Sequence, residues 1–306
     1  MASVFVTRAL PGDALERLRA AHDVRVWEDP MPPAPQELRA ALAGCEGLLC
    51  LLTERIDAAV LDAAPRLRAI ANFAVGTDNI DLDGARARGI AVGVTPDVLT
   101  EATADLAFAL LLAAARRLPQ AAADARAGAW RTWEPSGWLG ADVDGATLGI
   151  VGLGRIGKAV ARRAAGFRMT VLSTADTELA QLLQESDFVS LHVPLTPRTR
   201  HLIDAAALRR MRSSAILINT ARGAVIDQAA LIAALHAGEI AAAAIDVTDP
   251  EPPPPGDPVY STPNLLVLPH IGSATSSARA RMTELSVENL LAGLAGQPMP
   301  HPARGC

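Results

Sequence analysis

The sequence predicts an α/β protein made of two Rossmann-like, doubly wound parallel-sheet domains, the second inserted into a discontinuous first. Three observations predict it. Short apolar strands alternate with helical stretches almost from end to end, the pattern of βαβ units. The glycine-rich stretch TLGIVGLGRIGKAVARRAAG occupies positions 147–166, too late to open the first domain. The chain has 306 residues, which suits two domains at roughly 100–200 residues each.

The elements follow in order. SVFVTRAL leads to DALERLRAA, GLLCLL to AAVLDAA, LRAIANF to LDGARARG, and IAVGVTP closes a first α/β series within about 1–100. A helix is expected over 101–118, with Thr100 as its N-cap and Pro119 as its stop. RAGAWRTWEPSGWLGADVDG, rich in Trp, Gly and Pro, reads as an irregular arm over about 126–145. Strand Thr147–Val151 then starts a second series, MTVLS, DFVSLHVP, AILINTARG, IAAAAIDVT and NLLVLPHIG, each strand flanked by helical sequence. A last helix over 275–294 comes too late for a sheet that ends at Leu268, so it is assigned back to the first domain. The expected division is 1–100 with 271–306 against 101–270.

Composition narrows the function classes. Half the residues are hydrophobic and a fifth charged, an ordinary globular balance, and no apolar run reaches the roughly 18–20 residues of a membrane span. The start, Met1-Ala2-Ser3, lacks a basic signal-type region, so a cytoplasmic setting is expected. Cys45, Cys50 and Cys306 form neither a disulfide framework nor a metal-ligand spacing and read as reduced thiols; no metal site is expected. A net charge of −5 with scattered arginines offers no reason to expect nucleic acid.

Gly152-Leu153-Gly154-Arg155-Ile156-Gly157 stands between a strand and a helix-like stretch, the context of a dinucleotide-binding turn. Gly152 permits the tight turn, Gly154 the approach of a pyrophosphate, and Gly157 close packing of helix on strand. The N–H groups at the helix start stabilise the phosphates. A ribose-binding acid should follow about 20 residues later, after the strand at 169–173; Asp176 is the acid in place, equally readable as a lead into the helix at 178–185.

Three more strand ends carry the groups that carbonyl reduction needs: 215–219 leads to Arg222, 241–247 to Glu251, and 265–268 to His270. In open parallel sheets, ligands bind outside the carboxyl ends of strands, so the three can converge. Histidine is suited to donate a proton near neutrality. An adjacent carboxylate favours the imidazolium and fixes its orientation. Arginine binds a carboxylate with a planar, two-pronged fork. His192, His201 and His236 lack such company and read as structural.

The chain resembles the D-isomer-specific 2-hydroxyacid dehydrogenases. The stretches that carry the resemblance are NFAVGTDNID (72–81), TEATADLAFALLL (100–112), TLGIVGLGRIGKAVA (147–161), SDFVSLHVPLTPRTRHLI (186–203), AILINTARGAVID (215–227), AAAIDVTDPEP (242–252) and LPHIGSAT (268–275). Within that family it looks most like the glyoxylate and hydroxypyruvate reductases, which implies NAD(P)H-dependent reduction of small 2-keto acids. The resemblance implies that Arg222 clamps the substrate carboxylate and carbonyl, that His270 is the acid/base, and that Glu251 is its partner. It gives the backbone of Val75 and Gly76 to the other carboxylate oxygen. On the cofactor side it implies Thr103, Val193, Pro194, Thr199, Thr220 and Ala221, with Asp246 toward the nicotinamide carboxamide.

The pattern breaks after Ser173. Relatives continue through another short strand, whereas VLSTADTELAQLLQESD passes almost directly into helix, so the adenosine side is trimmed or a loop is missing. No Lys or Arg lies between Ser173 and Glu185 to bind a 2′-phosphate, which favours NADH over NADPH. The competing reading is a dinucleotide-sensing, corepressor-like binding protein of the same fold, or a dehydrogenase for another 2-hydroxy acid. Trp130, Trp133 and Trp138 in the arm predict a homodimer built through the cofactor domains, with Trp138 reaching the partner.

Overall fold

The computed structural model describes residues 1–303, so Cys306 lies outside the described residues. The chain divides into two compact units, 1–99 with 274–306, and 100–273.

The first unit runs β1 (Ser3–Val6), α1 (Ala14–Ala21), β2 (Asp23–Val26), α2 (Pro35–Leu42), β3 (Gly47–Cys50), α3 (Ala58–Ala63), β4 (Ala69–Asn72), α4 (Leu82–Ala87) and β5 (Ala91–Gly93). Its five strands lie in the order β2-β1-β3-β4-β5, all parallel. Side chains alternate across the sheet. Phe5, Leu48 and Ile70 face one layer with Leu38, Leu42, Val60 and Leu61. Val4, Val6, Leu49, Ala69 and Ala71 face the other, with Leu15, Leu18, Met282, Val287 and Leu290. That second apolar face is why the last helix of the chain, Ser276–Leu294, belongs to this unit: together with α1 it covers the face. The exposed edge of β5 is closed by the tail, where Val94 N–H donates to His301 O and Ala303 N–H to Val92 O.

The second unit runs α5 (Thr100–Ala115), α6 (Leu118–Arg126), β6 (Thr147–Val151), α7 (Arg155–Ala164), β7 (Thr170–Ser173), α8 (Leu179–Glu185), β8 (Phe188–Leu191), α9 (Ala205–Leu208), β9 (Ile216–Asn219), α10 (Gln228–Ala237), β10 (Ala242–Ile245) and β11 (Leu265–Val267). Its strand order is β11-β10-β9-β8-β6-β7, again all parallel. The order reverses at β6, which places the ligand crevice of such a sheet outside the carboxyl ends of β6 and β8. α5 and α7 cover one face over Leu148, Ile150, Phe188, Ile216 and Ile218; α8, α9 and α10 cover the other over Val189, Leu191 and Leu217.

Two expectations are corrected here. The helix expected over 101–118 ends at Ala115, and Pro119 lies in the first turn of α6 instead of stopping a helix. A proline near the start of a helix loses no bond, because that N–H has no partner one turn back. Arg117 makes the break with a left-handed backbone, φ 52°. α6 ends at Arg126, where the arm is expected to begin. After β7 the chain closes in a tight turn, where Asp176 and Thr177 both donate backbone N–H groups to Ser173 O, and β7 is left as the sheet edge.

Among the described residues no single helix is long and apolar enough to cross a membrane; α5 and α6 reach the length only across a 64° bend. No cluster of three or more metal-ligating side chains occurs among them either. Cys45 and Cys50 are buried free thiols.

Candidate active site

The glycine turn sits at the end of β6. Gly152 has φ +97°, a backbone that disfavours any side chain, and a Cβ there would also meet Val193 Cγ1 at 2.8 Å. A Cβ on Gly157 would lie 2.3 Å from Gly152 O, so only glycine lets α7 start so close to the strand. Gly154, the N-cap of α7, differs: a Cβ there would meet nothing within 4 Å. The space in front of Gly154 is therefore open, and a side chain would fill it. The N–H groups of Ile156 and Gly157 in the first turn of α7 have no carbonyl one turn back and, with the helix dipole, suit an anion at this end.

Around the turn, Thr174 Oγ1 accepts the Gly152 N–H at 3.0 Å. Asp176, the acid that follows this strand, lies past Thr174, and its carboxylate accepts from Ser173 Oγ at 3.3 Å in an exposed turn. Val193 and Pro194 follow β8; Thr199 closes their loop by donating its hydroxyl to Pro194 O at 2.6 Å. His192, at the same strand end, is enclosed: its Nε2 lies 2.8 Å from Ser190 Oγ, its Nδ1 has no hydrogen-bond partner, and burial lowers its pKa to about 4.

Beyond β9, Asn219 shapes the turn that carries Thr220, Ala221 and Arg222. Its Oδ1 accepts Ala221 N–H at 2.9 Å and its Nδ2 donates to Arg222 O at 2.9 Å. Gly223 packs so tightly that a Cβ would fall 2.0 Å from the Thr248 backbone, which brings the Arg222 turn against the loop that follows β10.

That loop and the one after β11 hold the acid/base candidates. Glu251 Oε1 and His270 Nδ1 are 2.5 Å apart, and Glu251 Oε2 accepts the Thr248 N–H at 3.4 Å. His270 has a left-handed backbone, φ +54°, and its turn is fixed by Asp246. Asp246 is buried; its two oxygens accept the N–H groups of Ile271 and Gly272, each at 2.7 Å, and its carbonyl accepts the His270 N–H. Burial pushes the Asp246 carboxyl up from its ordinary pKa, opposed in turn by the Ile271 N–H, the His270 charge and the Gly272 N–H, and aided by Glu251. Thr103 on α5 donates to Gly272 O at 3.2 Å. Thr103, Asp246, Glu251 and His270 thus form one connected group, a role for Asp246 that the sequence did not suggest.

Val75 and Gly76 lie in the other unit, in the loop after β4, where Asn72 Nδ2 donates to Gly76 O at 2.8 Å and Val75 is exposed.

A family model described as the NAD-binding domain of D-isomer-specific 2-hydroxyacid dehydrogenases matches residues 108–272. A glyoxylate reductase of Korarchaeum cryptofilum is 49% identical, over 97% of this chain and 94% of the relative. The alignment spans 313 positions, more than the 306 residues here, so that relative carries residues without a counterpart in this chain. A glyoxylate reductase of Thermococcus kodakarensis is 47% identical over the same shares. Among solved structures, a protein of Thermus thermophilus superimposes with TM-score 0.93 at 50% identity, covering 98% of this chain and 99% of that one. An NADPH-dependent glyoxylate/hydroxypyruvate reductase of Sinorhizobium meliloti, in complex with NADP and malonate, gives TM-score 0.87 at 33% identity, covering 99% and 97%.

Proposed function

The chain belongs to the D-isomer-specific 2-hydroxyacid dehydrogenase family, enzymes that use a nicotinamide dinucleotide, and from that premise we propose that it reduces glyoxylate and hydroxypyruvate to their 2-hydroxy acids. The observation that carries the reading is the 2.5 Å pairing of Glu251 and His270 at the carboxyl end of a sheet that also presents Arg222.

The dinucleotide fits the residues present. Open space before Gly154 and the first-turn N–H groups of α7 suit a pyrophosphate. Val193, Pro194, Thr199, Thr220 and Ala221 lie in the loops after β8 and β9 and complete the holding set, with Thr103 and Asp246 shaping the nicotinamide side. When bound, the reduced dinucleotide supplies the hydride.

The chain's own residues do the rest. Arg222 binds the keto acid through its planar fork, and the Val75–Gly76 backbone takes the second carboxylate oxygen. His270 donates from Nε2 the proton that the carbonyl oxygen needs as negative charge develops. Glu251 holds Nδ1, which fixes the ring orientation and leaves Nε2 toward the substrate. Asp246 acts through the backbone, by pinning the turn that carries His270.

NADH is the proposed coenzyme. No cation occurs between Ser173 and Glu185, and the side chain that accepts the Gly152 N–H is the neutral Thr174, with Asp176 beyond it; a 2′-phosphate calls for cationic partners after this strand. The chain is further proposed to act as a cytoplasmic homodimer through the arm. A steady-state screen of NADH and NADPH against glyoxylate, hydroxypyruvate and pyruvate tests the reading: the expected result is NADH-driven turnover of the first two, and turnover confined to pyruvate or to NADPH contradicts it.

A further inference from the structure

The carboxyl end of the first unit's sheet holds a buried carboxylate that no step above uses. Glu54 is 3% exposed. Its Oε2 accepts the Thr7 hydroxyl at 2.5 Å and the Leu51 N–H at 2.7 Å, and its Oε1 accepts the Thr53 hydroxyl at 2.5 Å. A buried carboxylate persists only where donors replace the lost water, and three do so here. The bond to Leu51 ties residues 51–54 into a turn directly after β3. The two carbonyls at the ends of that turn point at one side chain: Asn79 Nδ2 donates to Leu51 O at 3.0 Å and to Glu54 O at 3.2 Å. Asn79 Oδ1 accepts from Asn72 Nδ2 at 3.1 Å, and the other Asn72 amide hydrogen goes to Gly76 O at 2.8 Å. Cys50 Sγ donates to Asn72 Oδ1 at 3.6 Å.

Only one orientation of each amide satisfies this arrangement. A flipped Asn79 would set its oxygen against two carbonyl oxygens, and a flipped Asn72 would do the same against Gly76 O and Asn79 Oδ1. A network in which every hydrogen is used specifies one geometry and penalises departures, because any broken link leaves a polar group unpaired in low dielectric.

We propose that Glu54, Asn79 and Asn72 are positioning residues for the substrate: they hold the Gly76 carbonyl inward and thereby keep the Val75–Gly76 backbone shaped to receive a carboxylate. The proposal rests on the reading of Val75 and Gly76 as the carboxylate loop. It makes Asn79, 25 residues from its partner Glu54, a determinant of keto-acid affinity although it is not placed against the substrate.

The test uses the full chain with Asn79→Asp and Asn79→Ala. Asp keeps the size of the side chain but donates to neither carbonyl. Two readouts are taken together: amide hydrogen exchange at residues 73–78, and the kinetics of glyoxylate reduction alongside dinucleotide affinity. Both variants are expected to speed exchange of the loop about tenfold or more while the β1, β3 and β4 amides keep wild-type protection. KM for glyoxylate is expected to rise about 10- to 100-fold, kcat to fall less, and dinucleotide Kd to stay within about twofold. Glu54→Gln, which keeps an acceptor for the Leu51 N–H, gives a smaller change in the same readouts and carries the test where the Asn79 variants are too unstable to purify. Wild-type exchange and KM in Asn79→Asp overturn the proposal. Faster loop exchange with unchanged KM overturns the positioning role, whereas a wild-type chain that does not reduce glyoxylate overturns the reading of Val75 and Gly76 on which the proposal rests.

Discussion

Glu251 and His270 meet at 2.5 Å although 19 residues separate them, because β10 and β11 are parallel neighbours whose following loops leave the same end of the sheet. The pairing leaves the far ring nitrogen as the one that can serve a substrate oxygen. Glu251→Gln keeps the size of the side chain and removes the charge, so kcat for glyoxylate should drop by about 10- to 100-fold with dinucleotide Kd unchanged. Steady-state kinetics with calorimetric Kd values check this, and wild-type turnover would remove Glu251 from the acid/base pair.

Arg222 sits on a turn held at both ends by Asn219 and wedged against Thr248 through Gly223, so its backbone is fixed before substrate arrives. Arg222→Lys preserves the charge and loses the fork. A rise in KM together with a fall in kcat is expected, each of the order of tenfold, the cost of about one charge-assisted hydrogen bond. Progress curves at saturating NADH over a range of keto acid give both constants; unchanged values would make Arg222 a structural residue.

Trp130 and Trp133 are 76% and 79% exposed, and Leu139 is 66% exposed, all in the arm. Trp138, expected to reach a partner, is 40% exposed with the Arg117 guanidinium over its ring at 5.1 Å; we propose Trp130 and Trp133 beside it as further anchors for a second copy. Sedimentation at micromolar concentration should show a dimer for the wild type and a monomer for the Trp130→Ser, Trp133→Ser double variant. A wild-type monomer that is fully active contradicts the proposed assembly.

His192 gives a pH dependence whose sign is fixed by its lowered pKa. Between about pH 6.5 and pH 4 the unfolded chain binds a proton at this ring that the folded chain refuses, so stability is intact above the window and is lost as pH falls through it. From pH 7 to pH 5 the loss amounts to about 2 kcal/mol. Thermal melts of the wild type and His192→Gln over this range should converge toward low pH, since the variant lacks the group; parallel curves would contradict the assignment.

Much of this arrangement was legible in the sequence, and the exceptions have physical causes. The strands and the glycine turn are local signals, periodicity and backbone conformation, so Thr147–Val151 and Gly152 to Gly157 read directly. α6 did not, because Pro119 is compatible with either end of a helix boundary and only Arg117's left-handed turn decides between them. The family stretch assigns Asp246 to the cofactor, but its hold on the Ile271 and Gly272 N–H groups spans neighbouring strand ends and has no sequence signature. Thr174 is hidden behind Asp176 when an acid is sought, whereas the register of β6 against β7 sets which side chain meets Gly152. Asn72 and Asn79 lie in the NFAVGTDNID stretch, but neither that stretch nor Glu54 announces the network they form; its meaning lies in bonds between loops on adjacent strands.

The most direct measurement of the central claim is the single-turnover rate of NADH oxidation by excess glyoxylate, in the wild type and in His270→Asn, with enzyme in excess over NADH. His270 as proton donor predicts a rate about 10²–10⁴ lower in the variant, with the NADH Kd of the wild type retained. Equal single-turnover rates in the two proteins would contradict it.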